Sequence, residues 1–438
     1  MLFYLKNPLS FVSILQKNNC FFELVVILYS RCAILVFSER KVEKLNITRH
    51  LPGTKSGAHS LRHRLSELIR VIRDFILGNT VAVIATVAAA VTSVIVPPDA
   101  EYLSYIDFKT ISCLFATLAV ICALRNIRFF TFVARKIVSL TGNLRAASIA
   151  LVYITFIGSM LIANDMALLT FLPLGHTVMK ETGQRKYTAY VFVLQNIAAN
   201  LGGMLTPFGN PQNLFLYSNF SIPTLEFMGI MLPHFLIAIA LVTVCAALLP
   251  GKKLTLSESK MNSLPRGRTV IYGVLFFLAI ASVFNVIPYY VAVVIMIAAF
   301  LFLDRDALGK VDYPLLITFV MFFIFAGNMS RIGAVEMLFS YLLDKGTMVF
   351  SILSCQVISN VPSAILLSRF TENYPALLIG VNIGGTGTLI ASLASLITFR
   401  EYTKENPRGA GKYLLIFTGM NVLFLVVLTG AALLMGYR

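Results

Sequence analysis

The sequence predicts an all-α polytopic membrane protein, a chain that crosses the bilayer many times as helices. Of its 438 residues, 58% are hydrophobic and 13% are charged, which is more apolar than a soluble protein of this length needs. Apolar runs such as 224–249 and 413–435 are longer than the roughly 20 residues that cross a bilayer. Alternating segments of about ten residues, which build membrane barrels, are not seen.

The apolar runs predict ten spans, of which 188–217 and 374–398 contain a break. In chain order they are 21–37, 75–96, 108–124, 188–217, 224–249, 269–287, 288–303, 314–328, 374–398 and 412–435. Two further apolar stretches, 147–178 and 347–368, are interrupted by Asn164-Asp165 and by residues 360–362. We expect each half of these stretches to be too short to cross, so each stretch forms a re-entrant hairpin.

The distribution of basic residues supports this topology. With 38–74 placed in the cytoplasm, the loops on that side hold 28 of the 36 Lys and Arg residues. The opposite loops, 97–107, 218–223 and 285–287, hold none. Because the basic residues sort by loop, the net charge of +16 does not indicate a nucleic-acid partner. The lipid bilayer, with anionic lipid near the 38–74 loop, is the expected partner.

The two halves of the chain align element by element. Asp107 and Asp312 each precede a span, which is followed by an amphipathic stretch, 126–140 or 330–344. A hairpin, a broken span and a final span follow in both halves. Five crossings per half make the two repeats inverted relative to each other.

These boundaries define the domain organisation. The chain divides into an N-terminal tail, a first repeat, a joining cytoplasmic loop and a second repeat, at 1–20, 21–249, 250–268 and 269–438.

Polar residues recur at matching places within the apolar runs of the two halves. Each half has an Asn at the interruption of its hairpin, then a second Asn followed by a Gly pair. Such segments are costly inside a membrane unless they line a cavity, and paired broken segments mark transporter binding sites. We expect the substrate or ion site to be formed by Asn164, Asp165, Asn200, Gly202, Gly203, Thr206, Gly209, Asn210, Pro211, Asn213, Ser359, Asn360, Pro362, Asn382, Gly384, Gly385, Thr386, Gly387 and Thr388.

The residue types suit small ions. A helix start offers amides to an anion, unwound backbone offers carbonyls to a cation, and Asn offers both without charge. Asp165 is the acid placed to bind a proton or a cation. Simpler alternatives are N-capping by Asn164 and Asn360, with Pro362 at a helix start, and packing of helices by the Gly pairs.

Other classes of site lack a motif. The six Cys residues are scattered, and no Cys-x-x-Cys pair or His-rich cluster exists, so we expect no disulfide framework, resident metal or cofactor. His-Glu-x-x-His and Gly-x-Ser-x-Gly are absent, and we expect no enzymatic activity. A transported or coupling Na⁺ or H⁺ is the one expected exception.

At these residues the chain resembles the ion transporter superfamily. That grouping includes divalent-anion:sodium symporters, citrate-transporter-like permeases, arsenite permeases and NhaD-type sodium/proton antiporters. The resemblance is carried by Asn164-Asp165 and by the motifs at 209–213, 359–362 and 382–385, and it covers about 75–435. It implies two inverted repeats, each with a re-entrant hairpin and a broken helix, and an elevator-type motion of a homodimer.

The tips of the hairpins depart from one branch of this family. In sodium/dicarboxylate members the tips read Ser-Asn-Thr, whereas here they read Ala163-Asn164-Asp165 and Ser359-Asn360-Val361. The departure weakens a dicarboxylate assignment, and Asp165 is similar to the acid near the tip in arsenite and antiporter branches.

The sequence therefore predicts a secondary transporter in the cytoplasmic membrane that moves a small anion, carboxylate-like or an inorganic oxyanion, coupled to Na⁺ or H⁺. The alternatives are a Na⁺/H⁺ antiporter, an arsenite efflux permease, a channel and a membrane-embedded enzyme.

Overall fold

The computed structural model describes residues 79–253 and 263–438, and these residues form α-helices joined by short connections. The predicted span 21–37, the basic loop 38–74 and part of the joining loop lie outside the described residues. The helices of the first half are α1 Thr80–Ile95, α2 Tyr102–Tyr105, α3 Phe108–Asn126, α4 Phe129–Ser139, α5 Leu144–Ile162, α6 Asn164–Glu181, α7 Thr188–Gly202, α8 Pro211–Asn219 and α9 Thr224–Ala247. Those of the second half are α10 Arg266–Val283, α11 Tyr289–Leu303, α12 Arg305–Gly309, α13 Tyr313–Ser330, α14 Gly333–Ile358, α15 Asn360–Leu367, α16 Tyr374–Gly384, α17 Leu393–Glu405 and α18 Ala410–Leu434.

Length and composition make this a polytopic membrane protein, as the sequence predicts. Seven helices in the described part of the chain are long and apolar enough to cross a membrane. Large apolar side chains on the outer surface, such as Phe302 at 88% and Leu434 at 91% exposure, suit contact with lipid.

The two halves contain the same order of elements. Asp107 and Asp312 are the N-caps of α3 and α13, and each accepts a hydrogen bond from a backbone amide of the first turn at 3.0 Å. The predicted amphipathic stretches are helical: α4 in the first half, and the part of α14 before Gly346 in the second. Backbone angles at Gly346 are not helical, so α14 consists of two helical segments. The inversion of one half relative to the other across a membrane stays a prediction.

The first hairpin is longer than predicted. Its arms, α5 and α6, have 19 and 18 residues, which at 1.5 Å per residue is about 28 Å each. The expectation that each half is too short to cross is wrong for α5, which starts early, capped by Asn143, and is long and apolar enough to cross; α6, which continues to Glu181, is not among the described helices that meet this criterion. In the second hairpin, the 347–358 segment and the eight-residue α15 are short.

The centre of the molecule is α7, the first half of a broken helix. From Val191 to Leu205 every residue is buried, although this stretch includes Gln195, Asn196 and Asn200. Helix α7 packs against α5, α6, α9, α17 and α18, so elements of both halves surround it. Buried amides need hydrogen-bond partners, and these partners define the candidate site.

Candidate functional site

Two helix breaks, one in each half, share one backbone geometry. Ala163 has φ 63° and ψ 151°, and Ser359 has φ 76° and ψ 160°. Positive φ is uncommon for residues with a side chain, so the surrounding packing must stabilise both breaks. The breaks separate α5 from α6 and α14 from α15, at the places where the interrupted apolar runs predict the hairpin tips.

The Asn after each break makes the same local hydrogen bond. The Oδ1 atom of Asn164 accepts from the Asp165 amide at 2.9 Å, and that of Asn360 accepts from the Val361 amide at 2.9 Å. Each Asn is the first helical residue, and the N-cap residue before it makes no side-chain capping bond. Each Asn thus satisfies a first-turn amide from inside its helix, so the N-cap alternative describes neither residue. Pro362 lies in the first turn, where a missing N–H costs little.

The first broken helix passes from α7 to α8 through a non-α segment, 203–210. Side-chain amides of the second part bond the carbonyls that this interruption frees. Asn210 Nδ2 donates to the Asn200 carbonyl at 3.1 Å, and Asn213 Nδ2 donates to the Gly203 carbonyl at 3.2 Å. The break is therefore stabilised by its own amide side chains, because helix-end carbonyls lack intrahelical partners.

Close backbone approach explains the glycines at this break. A Cβ atom on Gly203 would collide with Asn210 Oδ1 and the Gly209 carbonyl, and one on Gly209 would collide with the Gly203 carbonyl. On Gly202 it would collide with the Phe156 carbonyl of α5. Thr206 Oγ1 donates to the Met160 carbonyl at 2.8 Å, which ties the break to the first hairpin.

The second broken helix is stabilised by a residue of a different element. Between α16 and α17, the chain from Gly385 to Ser392 is not α-helical. Gln356 of the neighbouring hairpin donates through Nε2 to the Gly384 carbonyl at 2.9 Å and the Thr386 carbonyl at 3.1 Å. Its Oε1 atom accepts from the Thr388 amide at 2.9 Å.

Glycine is again required at this break, most clearly at Gly387. Gly387 has φ 117°, and a Cβ atom there would collide with Gln356. On Gly384 a Cβ atom would lie 2.8 Å from the Cys355 Cβ atom, and on Gly385 it would lie 3.1 Å from Asn360 Nδ2. The Gly pair therefore lets the second broken helix approach the second hairpin closely.

A network of buried amides joins the two halves. Asn382 Nδ2 donates to Asn213 Oδ1 at 2.6 Å, and Asn210 Nδ2 lies 3.4 Å from Asn382 Oδ1. Asn200 Oδ1 accepts from Ser392 at 2.8 Å and from Asn164 Nδ2 at 3.2 Å.

The network is extended at the second tip and is incompletely satisfied in the first half. The backbone amide of Asn360 donates to the Ala391 carbonyl at 3.0 Å, linking the second tip to the second break. Within the described residues, Asn200 Nδ2 and Asn210 Oδ1 are buried without a partner. The network therefore retains one donor and one acceptor for a further polar group.

One cavity of about 780 Å³ receives both hairpin tips. Most of its wall is apolar, and the charged residues that line it in the described part of the chain are Asp165 and Arg400. The Oδ1 atom of Asp165 is buried and has no hydrogen-bond partner among the described residues. An apolar cavity with a few convergent polar groups is the usual form of a small-molecule site.

The structure divides the predicted site residues into two groups. The cavity is lined by Asn164, Asp165, Pro211, Ser359, Asn360 and Pro362. The others form the breaks and the amide network instead: Asn200, Gly202, Gly203, Thr206, Gly209, Asn210, Asn213, Asn382, Gly384, Gly385, Thr386, Gly387 and Thr388.

Sequence reasoning missed three residues. Arg400 lines the cavity, and Gln356 and Ser392 bond the breaks. Gln212, which belongs to the predicted motif at 209–213, also lines the cavity. A Gln inside an apolar run, as at 356, is a signal that could have found one of the three.

Comparison with known proteins identifies the family. A model of the citrate transporter family, CitMHS, matches residues 68–377. The chain is 33% identical to the uncharacterized transporter MJ0456 of Methanocaldococcus jannaschii, across 76% of this chain and 91% of that protein. It is 28% identical to the inner membrane protein YbiR of Escherichia coli, across 67% of this chain and 80% of that protein.

The name of a third relative includes a substrate. The silicon efflux transporter LSI3 of Oryza sativa is 28% identical across 36% of this chain and 32% of that protein. Because the family model covers most of the chain, the assignment to this family does not depend on the helix breaks alone. The chain belongs to the citrate transporter family, and it is a multi-pass membrane transporter of the plasma membrane that acts on small ions.

Proposed function

We propose that the protein is a secondary active transporter that moves a small anion, a carboxylate-like or inorganic oxyanion, across the cytoplasmic membrane with Na⁺ or H⁺. The observation that carries this proposal is the cavity into which both hairpin tips open. Two tips with the same backbone geometry, from two halves of the chain, line one space together with a carboxylate and a guanidinium.

The charges in the cavity suit two kinds of ion. Arg400 offers a guanidinium to an anion, and the first-turn amides of α6 and α15 add partial positive charge at the tips. Asp165 offers a cation or proton a carboxylate oxygen that has no partner among the described residues. An anion and a coupling cation would each lower the electrostatic cost of binding the other.

The amide network suggests how a ligand bound in the cavity would affect both halves of the chain. Asn164 at the first tip bonds Asn200, which also accepts from Ser392 of the second broken helix. A shift of either tip must therefore rearrange bonds that cross between halves. We propose that the halves are inverted repeats and that the protein works as a homodimer, as its family resemblance implies.

The alternative functions differ in the ion or solute that the protein would transport. A Na⁺/H⁺ antiporter would need Asp165 and no anion, whereas an arsenite efflux permease would carry an arsenic oxyacid outward. The similarity to a protein named as a silicon efflux transporter is a reason to include inorganic oxyacids among the substrates that are tested.

Flux in proteoliposomes tests the proposal. The purified protein is reconstituted, and entry of citrate, a dicarboxylate, arsenite and soluble silicon is measured with a Na⁺ gradient, a pH gradient or neither. We expect gradient-dependent accumulation of one anion class, without chemical change of the substrate. Na⁺/H⁺ exchange that needs no anion would establish the antiporter, and flux that no gradient drives uphill would indicate a channel.

A further inference from the structure

A second cavity, of about 260 Å³, lies away from the hairpin tips and shares no lining residue with the first. Arg125 from the end of α3, Arg128 from the turn and Arg135 from α4 line one side. The other side is the second arm of the first hairpin, α6, between Leu169 and Thr177. Three arginine residues therefore line one small space against the first hairpin.

These arginines lack an acidic partner within the described part of the chain. No described carboxylate lies within 4.0 Å of their nitrogen atoms, and Arg125 Nη1 donates to the Met166 sulfur, a weak acceptor, at 3.2 Å. Arg331 follows α13 as Arg128 follows α3, and it pairs with Asp99 at 2.8 Å. Among the described residues, the arginine after α13 therefore has an acidic partner and the arginine after α3 does not.

The turn between α3 and α4 creates the concave shape. Arg128 adopts a left-handed conformation, with φ 59° and ψ 27°, and so folds α4 back beside the end of α3. Thr131 and Thr170 add hydroxyl groups to the lining. Thr170 donates its hydroxyl proton to the Met166 carbonyl, whereas Thr131 has no partner among the described residues and can donate to an anion.

The position suits the boundary between lipid and water. On α4, Val133 and Ile137 are exposed, as is Leu140 directly after it, at 83%; Arg135 and Lys136 are also exposed. A short helix with exposed apolar and basic residues lies in the membrane interface. The loop charges place this end of α3 on the cytoplasmic side, where anionic lipid headgroups concentrate.

We propose that this pocket, the Arg125–Arg128–Arg135 pocket, binds a phosphate group, carried by an anionic lipid headgroup or by free phosphate. Guanidinium groups bind phosphate oxygens in pairs and are preferred over ammonium groups where the geometry is planar. A bound phosphate group links α3 to α4 and fills the space against the second arm of the first hairpin, so it restricts the movement of that arm. This binding site is separate from the transported ion, and the proposal does not rest on the proposed function.

Thermal stability in lipid nanodiscs tests the pocket. In one arm, the full chain in phosphatidylcholine discs is titrated with inorganic phosphate at constant ionic strength. In the other arm, phosphate is omitted and phosphatidylglycerol replaces phosphatidylcholine stepwise. The variants are Arg128→Gln and Arg135→Gln, both at exposed residues, so they keep the fold. Lys136→Gln is the matched control, since Lys136 carries the same charge on the same helix and does not line the pocket.

We expect a saturable rise in the Tm of the wild-type protein in at least one arm. In each Arg variant the half-saturating phosphate concentration or phosphatidylglycerol fraction should rise about tenfold, or saturation should be lost, while Lys136→Gln stays within about twofold of wild type. The arm that saturates identifies free phosphate or lipid as the source. Absence of saturation in both arms overturns the proposal, and so does an equal effect of Lys136→Gln, which would indicate diffuse surface charge.

Discussion

The side-chain amide of Asn382 donates a hydrogen bond of 2.6 Å to the Oδ1 atom of Asn213, and this bond joins the broken helices of the two halves. Both residues are buried, at 1% and 0% exposure. Asn213 uses its own Nδ2 atom to bond carbonyls freed at the first break. The contact therefore connects the stability of one break to the position of the other.

Asn213→Ala and Asn382→Ala should each lower the free energy of unfolding by about 1–3 kcal/mol, because each leaves a buried polar partner unsatisfied. In the double variant, the coupling energy should be about 1 kcal/mol. The measurement is denaturation of the purified protein. Asn421→Ala is the control: Asn421 is equally buried, and among the described residues its side chain bonds its own helix, at the Phe417 carbonyl. Additive effects of Asn213→Ala and Asn382→Ala would contradict an energetic link between the halves.

Asp165→Asn should leave the fold intact and abolish ion-coupled flux, or shift the pH dependence of that flux. The Oδ1 atom of Asp165 makes no hydrogen bond to the described residues, so an amide of the same shape removes no protein contact. It does remove the charge that a cation or proton needs. Flux across a pH series in proteoliposomes is the measurement, with Asp306→Asn, at an exposed residue paired with Lys310, as the control. An unchanged flux and pH profile would make Asp165 structural.

Asn164→Ser and Asn360→Ser should each raise the half-saturating concentration of substrate or ion, with thermal stability near that of wild type. Serine can bond a first-turn amide, but it lacks the amide nitrogen and the reach of Asn. Ligand-induced thermal stabilisation of each variant, at two Na⁺ concentrations and two pH values, gives the affinities. Weaker ion binding should weaken substrate binding by the same factor. Wild-type affinities in both variants would move the binding site away from the tips.

Gly203→Ala should reduce stability by about 1–3 kcal/mol or prevent folding, because the new methyl group collides with Asn210 and Gly209 across the break. Gly229→Ala is the matched control, since nothing lies within 4 Å of a Cβ atom there. Membrane yield and Tm of both variants are compared. Equal membrane yield and equal Tm of the two variants would mean that the break can accommodate a methyl group, contrary to its close contacts.

Cysteine labelling checks the sidedness that the loop charges predict. In a background without native Cys, Ser104→Cys should react with an impermeant external thiol reagent, and Ser139→Cys should be protected in intact cells. Both serines are exposed, so accessibility from one side decides the result. Equal labelling of the two positions from outside would contradict the predicted topology.

The sequence by itself determined which segments are helical and where the two hairpins break, although not every helix end. Long apolar runs have no alternative to helix in lipid, and Asp107 and Asp312 mark helix starts through local hydrogen bonds. The sequence also predicted the helix breaks at the two hairpin tips, because Asn and Pro interrupt otherwise apolar runs.

Only the tertiary structure decided which carbonyl each amide bonds. Gln356 bonds the second break, and Ser392 meets Asn200, 192 positions away in the sequence. Arg400 reaches the cavity through the packing of α17, although its place after an apolar run predicts a loop. The physical reason is that a break frees backbone carbonyls whatever its neighbours are, while the partner that satisfies them depends on packing between segments distant in sequence.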